Sequence, residues 1–299
     1  MKVEMTVPQT SEPSAVALGF FDGVHIAHAE VIRRVTGNSD GAVSTVLTFR
    51  SEGKGFWRKA GVKHILTEQQ KLERFSALGV EKVVMPEFCR ISELSPIDFF
   101  QEILVKRLHA VKLSCGFDYT FGKNASGNAD MLRRLCIQAG ISLEVVPSME
   151  LDGIPVSSTR IRELLLKGEI PDANRLLGYC YYITGEVVHG RSLGRTLGFP
   201  TLNQILREDQ VIPKFGVYNS TAEIGGQHYK SITNIGVKPT IQGERAPLAE
   251  TYLLDASGDF YGKTARVELL RMTRPEQRFD TLDELRMAVH RDIANRGRS

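Results

Sequence analysis

Several features that define other protein classes are missing from this chain of 299 residues. It holds no apolar run of the ~18–20 residues that a helix needs to span a bilayer, so we expect no membrane contact. The N-terminal stretch carries Glu4 and Glu12 and no continuous apolar segment, so we expect no signal peptide. The four cysteines form no Cys-x-x-Cys pair, which disfavours a cysteine-based zinc site or redox pair. We therefore expect a cytoplasmic protein with reduced thiols.

The balance of residue types is that of an ordinary globular protein. With 42% hydrophobic and 24% charged residues, the chain can bury a core and is not intrinsically disordered. A net charge of +3 is too small for the basic surface typical of nucleic-acid binding, although it suits small phosphorylated substrates. At ~150 residues per domain the length favours two domains. For assembly we expect a monomer or a weak homo-oligomer.

The first half alternates short apolar runs with helical patterns. The predicted strands are residues 15–18, 43–49, 80–85, 111–115 and 143–146, and the predicted helices are residues 27–35, 67–78, 96–108 and 131–139. Thr67 and Gln70 have the spacing of a capping box. This alternation predicts βαβ units in an α/β domain with a parallel sheet, whose ligands bind at the carboxyl ends of the strands.

After Gly178 the pattern becomes all-β. The predicted strands are residues 181–188, 217–224, 229–235, 251–254 and 265–270, and one last helix is predicted over residues 281–294. Gly225 and Gly226 indicate a two-residue hairpin turn. We predict a barrel or sandwich with a C-terminal helix, and a domain boundary that separates residues 1–178 from residues 179–299.

Residues 19–28 read GFFDGVHIAH and join a predicted strand to a predicted helix. Free N–H groups at a helix start attract anions, and Gly23 keeps the loop close to a bound phosphate. His25 and His28 are three residues apart and can face one ligand. Zinc binding is disfavoured because no third ligand lies nearby. Simple helix-capping or surface histidines remain the alternative.

Residues 156–162 read VSSTRIR and open a second predicted helix. The hydroxyls of Ser158 and Thr159 and the guanidinium of Arg162 favour phosphate oxygens, which arginine can bind with two hydrogen bonds. The alternative is an ordinary helix cap followed by a solvated arginine. Two helix N-termini with anion-binding side chains in one α/β domain are nevertheless a stronger signal for phosphate binding than either motif alone.

Residues 190–203 read GRSLGRTLGFPTLN. Gly190, Gly194 and Gly198, with Arg195 among them, predict a loop that wraps around phosphates, although the GK[ST] ending of a Walker loop is absent. A loop that is merely rich in turns is the alternative. Thr201 and Asn203 add oxygen ligands of the kind that magnesium prefers.

The two first-half motifs resemble the HxGH and SSTxIR signatures of the nucleotidyltransferase superfamily. More narrowly, this half resembles the adenylyltransferase module of bacterial bifunctional riboflavin kinase/FAD synthetases. The segments LTEQQKLERFSALGVEKVVMPEF (66–88) and CGFDYTFG (115–122) are similar to further parts of that module. The resemblance implies a Rossmann-like fold in which FMN attacks the α-phosphate of MgATP to give FAD and pyrophosphate. It places His25, His28, Gly23, Ser158, Thr159 and Arg162 at the phosphates, and Asp118 and Phe121 on the flavin side.

The second half resembles the riboflavin kinase module of the same family. The similar segments are GRTLGFPTLN (194–203), NIGVKPT (234–240), ETYLLD (250–255) followed by FYG (260–262), and RPE (274–276) followed by Phe279. The resemblance implies that Glu250 is the general base for the riboflavin 5′-hydroxyl. It also implies that Thr201 and Asn203 hold Mg²⁺, that the glycine loop with Arg195 binds ATP, and that Arg274 and Phe279 lie near the isoalloxazine ring.

Two positions depart from the family pattern. Ala27 stands where the family usually has glycine, and residues 47–53 read LTFRSEG where the family has TFxPHP. Arg50 or Lys54 is a candidate to replace the missing histidine. One alternative is therefore a monofunctional riboflavin kinase whose first domain has lost adenylyl transfer. Another is a non-catalytic flavin-binding regulator, against which the general base Glu250 argues.

Overall fold

The computed structural model describes residues 1–37, 41–50, 62–189, 201–239, 245–254, 256 and 258–297. By their contacts these residues form two compact units, Met1–Ser158 and Thr159–Ser299. The segment 159–177 therefore packs with the second unit, while the functional boundary at residues 178/179 stays a prediction. None of the helices in the described ranges is long and apolar enough to cross a membrane.

The first unit is built on a sheet of six strands: β1 (Lys2–Glu4), β2 (Ser14–Leu18), β3 (Val43–Leu47), β4 (Lys82–Val84), β5 (Ala110–Gly116) and β8 (Ser142–Val146). The strand order is β1-β4-β3-β2-β5-β8, and all five pairs are parallel, as the alternating sequence pattern predicts. Four short strands form two separate antiparallel pairs: β6 (Thr120–Phe121) with β7 (Gly127–Asn128), and β9 (Glu150–Leu151) with β10 (Ile154–Pro155). Every residue of β2 is buried, as a parallel strand covered on both faces requires.

The longer helical segments among the described residues of this unit pack around the sheet. They are α1 (Ile26–Thr36), α2 (Glu68–Ala77), α3 (Pro96–Asp98, continued by the π-helical Phe99–Arg107) and α4 (Ala129–Ala139). The predicted capping box at α2 is confirmed: Thr67 and Gln70 exchange side-chain to backbone hydrogen bonds of 2.9 and 3.2 Å. Sequence periodicity did not indicate the wider π-helical winding, in which the Leu108 N–H donates to the Ile103 carbonyl.

The second unit contains the strands β11 (Tyr182–Glu186), β12 (Thr201–Ile205), β13 (Gly216–Ile224), β14 (Gln227–Pro239), β15 (Arg245–Leu253) and β16 (Thr264–Pro275). They form an antiparallel sheet in the order β11-β16-β13-β14-β15-β12, which curls into a nearly closed barrel. The helices α5 (Ser158–Lys167) and α6 (Ile170–Leu177) precede the sheet, and α7 (Leu282–Gly297) follows it. The predicted hairpin at Gly225 and Gly226 is confirmed by the pairing of Ile224 with Gln227. A bridge from Val188 to Asn203 draws the two edges of the sheet together.

Candidate active sites

The loop between β2 and α1 carries the first motif to the carboxyl edge of the parallel sheet. Gly23 adopts φ +81°, and a Cβ there would lie 2.9 Å from the Ile65 Cδ1 atom, so the position requires glycine. The Asp22 carboxylate accepts a hydrogen bond of 3.0 Å from the Ile65 N–H. The Ser158 hydroxyl donates to the Asp22 carbonyl at 2.8 Å. These contacts bring the two predicted phosphate-binding motifs together at Ser158 and fix the loop.

His25 and His28 lie side by side at the start of α1. Their rings stack with centroids 3.5 Å apart and an interplanar angle of 14°. The His25 Nδ1 atom accepts a hydrogen bond from the His28 N–H at 3.3 Å, so His25 is the N-cap of the helix. The helix-capping alternative is therefore correct for His25, but it does not separate the two rings. In the described part of the chain, no three His, Cys, Asp or Glu residues gather as metal ligands.

The His28 imidazole lies in an environment that opposes its protonation. Burial lowers its pKa well below the ordinary value, and the neighbouring His25 and Lys71 lower it further. At neutral pH the ring is therefore uncharged, and a neutral imidazole has one N–H group that can donate a hydrogen bond. Its Nδ1 atom is buried and has no hydrogen-bond partner among the described residues.

Lys71 on α2 is a component of this site that sequence reasoning missed. Its side chain is buried, and its Nζ atom lies 4.3 Å from the centroid of the Phe20 ring. Burial lowers the pKa of Lys71 to about 8, against the attraction of Asp22 and Glu68. The sequence holds one signal for this position: Phe75, four residues on, lies on the same buried face of the helix.

The other residues predicted for the first site occupy different surroundings. Thr159 is exposed and Arg162 is half-buried on α5, within the second unit. Asp118 is exposed after β5. Phe121 is 6% exposed and packs in the core, with its ring centroid 5.6 Å from that of Phe99. Contact of Asp118 and Phe121 with a flavin stays a prediction.

The barrel aligns the predicted base and a predicted metal ligand on adjacent strands. Glu250 on β15 lies directly opposite Asn203 on β12 and opposite Asn234 on β14. Directly opposed residues have Cβ atoms ~4.5–5.5 Å apart and share a face of the sheet. The next residue, Thr251, faces the opposite way and its hydroxyl bonds to that of Thr233 in the barrel interior at 2.9 Å. Glu250, Asn203 and Asn234 therefore form one polar row across three strands, which we call the carboxamide row.

Asn203 is a buried amide with one oxygen atom unsatisfied among the described residues, and its role as a metal ligand stays a prediction. It is 4% exposed, and its Nδ2 atom donates to the Thr201 carbonyl at 3.4 Å. Its Oδ1 atom is buried without a hydrogen-bond partner in the described part of the chain. Strand β12 was not predicted, and neither was the position of Asn234 opposite Glu250. Both depend on strand register, which a single sequence does not reveal.

Of the remaining residues predicted for the second site, some lie outside the described residues and two lie close together. Gly190, Gly194, Arg195 and Gly198 lie outside the described residues. Arg274 forms an ion pair with Asp292 on α7, and its guanidinium carbon lies 5.6 Å from the centroid of the Phe279 ring. Arg274 and Phe279 are thus neighbours, as their common assignment requires, while their contact with a flavin stays a prediction.

Comparison with known proteins finds one family model in each half of the chain. The family model of FAD synthetase matches residues 7–160, and that of riboflavin kinase matches residues 177–298. Curated proteins named bifunctional riboflavin kinase/FMN adenylyltransferase match over nearly the whole chain. That of Listeria monocytogenes is 34% identical and covers 93% of this chain and 89% of its own length. For Pseudomonas fluorescens the values are 35%, 93% and 90%, and for Escherichia coli K12 they are 34%, 94% and 91%.

A crystal structure from Streptococcus pneumoniae, described as a macrolide-efflux protein, has a TM-score of 0.86 to this chain. It is 31% identical and covers 98% of this chain and 97% of that one. Together, the fold of the two units and the two family models define a two-domain transferase that acts on flavins and nucleotides. The chain belongs to the family of bifunctional riboflavin kinase/FMN adenylyltransferases.

Proposed function

We propose that this chain makes FMN from riboflavin and ATP in its second domain, and FAD from FMN and ATP in its first. The observation that carries the kinase assignment is the carboxamide row, which sets the carboxylate of Glu250 beside Asn203. The paired histidines on a glycine-requiring loop support the adenylyl transfer. The family, whose proteins carry both activities in their names, supports the combination.

In the kinase step, the 5′-hydroxyl of riboflavin attacks the γ-phosphorus of ATP, and the bond to the ADP oxygen breaks. Glu250 accepts the hydroxyl proton, which requires hydrogen-bond reach of that oxygen. Glu250 is half-buried at the barrel wall, so a substrate can approach it. Asn234, opposite Glu250 on β14, is placed to orient the carboxylate.

Thr201 and Asn203 fit a magnesium site. The buried Oδ1 atom of Asn203, which has no partner among the described residues, is a hard oxygen donor of the kind that Mg²⁺ takes together with phosphate and water. Bound there, the ion would neutralise charge on the ATP phosphates. The protein contributes the fixed positions of the two side chains on β12.

In the adenylyl step, a phosphate oxygen of FMN attacks the α-phosphorus of ATP, and the bond to pyrophosphate breaks. Neutral His28 donates a hydrogen bond to the phosphate chain, and the ordered loop supplies fixed N–H donors. Ser158, already bonded to the loop, is a further proposed phosphate contact. For Thr159 and Arg162 the proposal rests on the family resemblance alone. Catalysis here consists of positioning and charge stabilisation.

The altered segment after β3 is one of the two features that raised the monofunctional alternative, and its described residues contact the phosphate loop and α2. Thr48, within the altered segment after β3, donates to the Phe20 carbonyl at 2.9 Å and so supports the phosphate loop. The Arg50 Nε atom lies 3.7 Å from the Glu68 Oε2 atom. Lys54 lies outside the described residues. Family membership and the intact loop favour the bifunctional proposal over both alternatives.

The substrates of the proposal are riboflavin, FMN and ATP, all of them small molecules. We also propose a cytoplasmic location, no nucleic-acid or membrane partner, and a monomer or weak homo-oligomer. A substitution at the base separates the two reactions. We expect Glu250→Gln to reduce FMN formation by ~10²–10⁴, the usual contribution of general base catalysis, and to leave FAD formation from FMN intact. Wild-type phosphorylation by this variant would remove Glu250 from its role.

A further inference from the structure

Lys71 is a buried cation that the reaction steps above do not use. Its side chain is 2% exposed, and its Nζ atom has no hydrogen-bond partner in the described part of the chain. An ammonium group carries three donors, and leaving them unmade away from water costs free energy. A leucine or methionine would fill the same face of α2 without that cost. Because a charged side chain at position 71 costs stability, we expect its charge to serve a function.

The two carboxylates that attract Lys71 are already engaged elsewhere. Asp22 accepts from the Ile65 N–H at 3.0 Å, and Glu68 lies 3.7 Å from the guanidinium of Arg50. Both draw on the ammonium electrostatically, but neither is hydrogen-bonded to it in the described structure. Asp22 and Glu68 therefore stabilise the charge of Lys71 and leave its N–H groups available to a ligand.

A second buried nitrogen atom, the Nδ1 atom of His28, also lacks a hydrogen-bond partner among the described residues. The charge of Lys71 acts on His28. Phe20, whose ring holds the ammonium at 4.3 Å, belongs to the same loop that carries Gly23 and His25. Two unsatisfied nitrogens, one of them cationic, converge on the loop expected to hold phosphates. An anion with several acceptor oxygens would satisfy both.

We propose that Lys71 is a phosphate-binding residue of the adenylyltransferase centre, whose ammonium binds the oxygens of the β- and γ-phosphates of ATP. The ring of Phe20 shelters the ammonium in the free protein and gives way to the phosphate chain when the nucleotide enters. The inference rests on the proposed adenylyl transfer at His25 and His28, and it adds a named contact to the leaving group. As pyrophosphate departs, Lys71 stabilises its growing charge.

The test compares Lys71→Met, Lys71→Arg and a matched control, Lys82→Met. Lys82 is a buried lysine of the same sheet unit whose ion-pair partner is Glu12, away from the loop. Binding of pyrophosphate to each purified protein is measured by calorimetry. KM for ATP and KM for FMN are then measured separately in FAD formation. Thermal unfolding of the same preparations, followed by circular dichroism, reports folding of the unit that carries Lys71.

We expect Lys71→Met to weaken pyrophosphate binding and raise KM for ATP by about 10- to 100-fold, the range for a hydrogen bond to a charged group. KM for FMN should change less than twofold, Lys71→Arg should restore part of the loss, and Lys82→Met should behave as wild type. Unchanged pyrophosphate binding in Lys71→Met, or equal effects on both KM values, would overturn the proposal. A wild-type protein that makes no FAD would refute the adenylyl transfer instead, and pyrophosphate binding would still decide the role of Lys71.

Discussion

The guanidinium of Arg274, at the end of β16, donates hydrogen bonds from two nitrogen atoms to the carboxylate of Asp292 on α7. The Nη2 atom donates to Oδ2 at 2.8 Å, and the Nε atom donates to the same oxygen at 3.1 Å. The Asp292 side chain is 8% exposed and that of Arg274 is 23% exposed. A residue predicted for the flavin site therefore also anchors the C-terminal helix to the barrel.

Removing this anchor should loosen the second unit. We expect Asp292→Asn to lower the free energy of unfolding by about 2–3 kcal/mol, somewhat below the effect of breaking a fully buried ion pair, because Arg274 keeps contact with water. Urea denaturation measures the change. Asp283→Asn, a carboxylate in the first turn of the same helix, should cost less than about 1 kcal/mol. Equal losses in the two variants would show that the pair contributes no special stability.

The phosphate loop should fail when Gly23 acquires a side chain. Gly23→Ala adds a methyl group 2.9 Å from the Ile65 Cδ1 atom, so that side chain or the loop must shift, and φ +81° strains the backbone of any residue with a Cβ atom. We expect FAD formation from FMN to fall at least tenfold, while riboflavin phosphorylation is unchanged.

Gly41→Ala is the matched control for this variant. Gly41 has φ +82°, and the described residues leave at least 4 Å of open space around the point where the added methyl group would stand. The variant should lose about 1–2 kcal/mol of stability through backbone strain and keep both activities. If Gly23→Ala and Gly41→Ala gave the same rate of FAD formation, close packing at the loop would not matter for the reaction.

Asn203 should determine the magnesium requirement of the kinase. Asn203→Ala removes the unsatisfied Oδ1 atom from the carboxamide row. We expect FMN formation to need more Mg²⁺ for half-maximal rate, whereas FAD formation on the same chain keeps its wild-type requirement. Magnesium titrations of both reactions measure this. An unchanged requirement for FMN formation would place the metal elsewhere.

Lys71 should make the stability of the protein depend on pH. Below about pH 8 the lysine is charged in the folded and the unfolded chain, so the cost of burying its charge is fully present. Between about pH 8 and its ordinary pKa of 10.5 the unfolded chain binds more protons, so this group makes stability rise with pH.

A substitution tests this dependence. Lys71→Met should be more stable than wild type at pH 7, and its advantage should shrink as the pH approaches 10.5. Thermal unfolding across this range, with Lys82→Met as control, measures it. Lower stability of Lys71→Met at pH 7 would show that attraction by Asp22 and Glu68 outweighs the cost of burial. The expected result is a Lys71→Met protein that is more stable than wild type but slower in adenylyl transfer. That combination would indicate that the lysine serves function at a cost in stability.

Local features were readable from the sequence, whereas features that depend on distant partners were not. The capping box of Thr67 and Gln70 and the Gly225–Gly226 turn follow from residues within one turn of chain. The pairing of Glu250 with Asn203 joins positions 47 residues apart through strand register, which has no local signature. Lys71 was missed for another reason: a charged side chain usually indicates exposure to solvent, and only the position of Phe75 on the same helix face indicates burial.

One time course tests the central claim most directly. The wild-type protein is incubated with riboflavin, ATP and Mg²⁺, and separately with FMN, ATP and Mg²⁺, and the flavins are separated by chromatography. The account predicts that FMN forms and is then converted to FAD in the first reaction, and that FAD forms directly in the second. FMN that accumulates while neither reaction yields FAD would contradict it, because the loop of His25 and His28 would then hold no working adenylyltransferase.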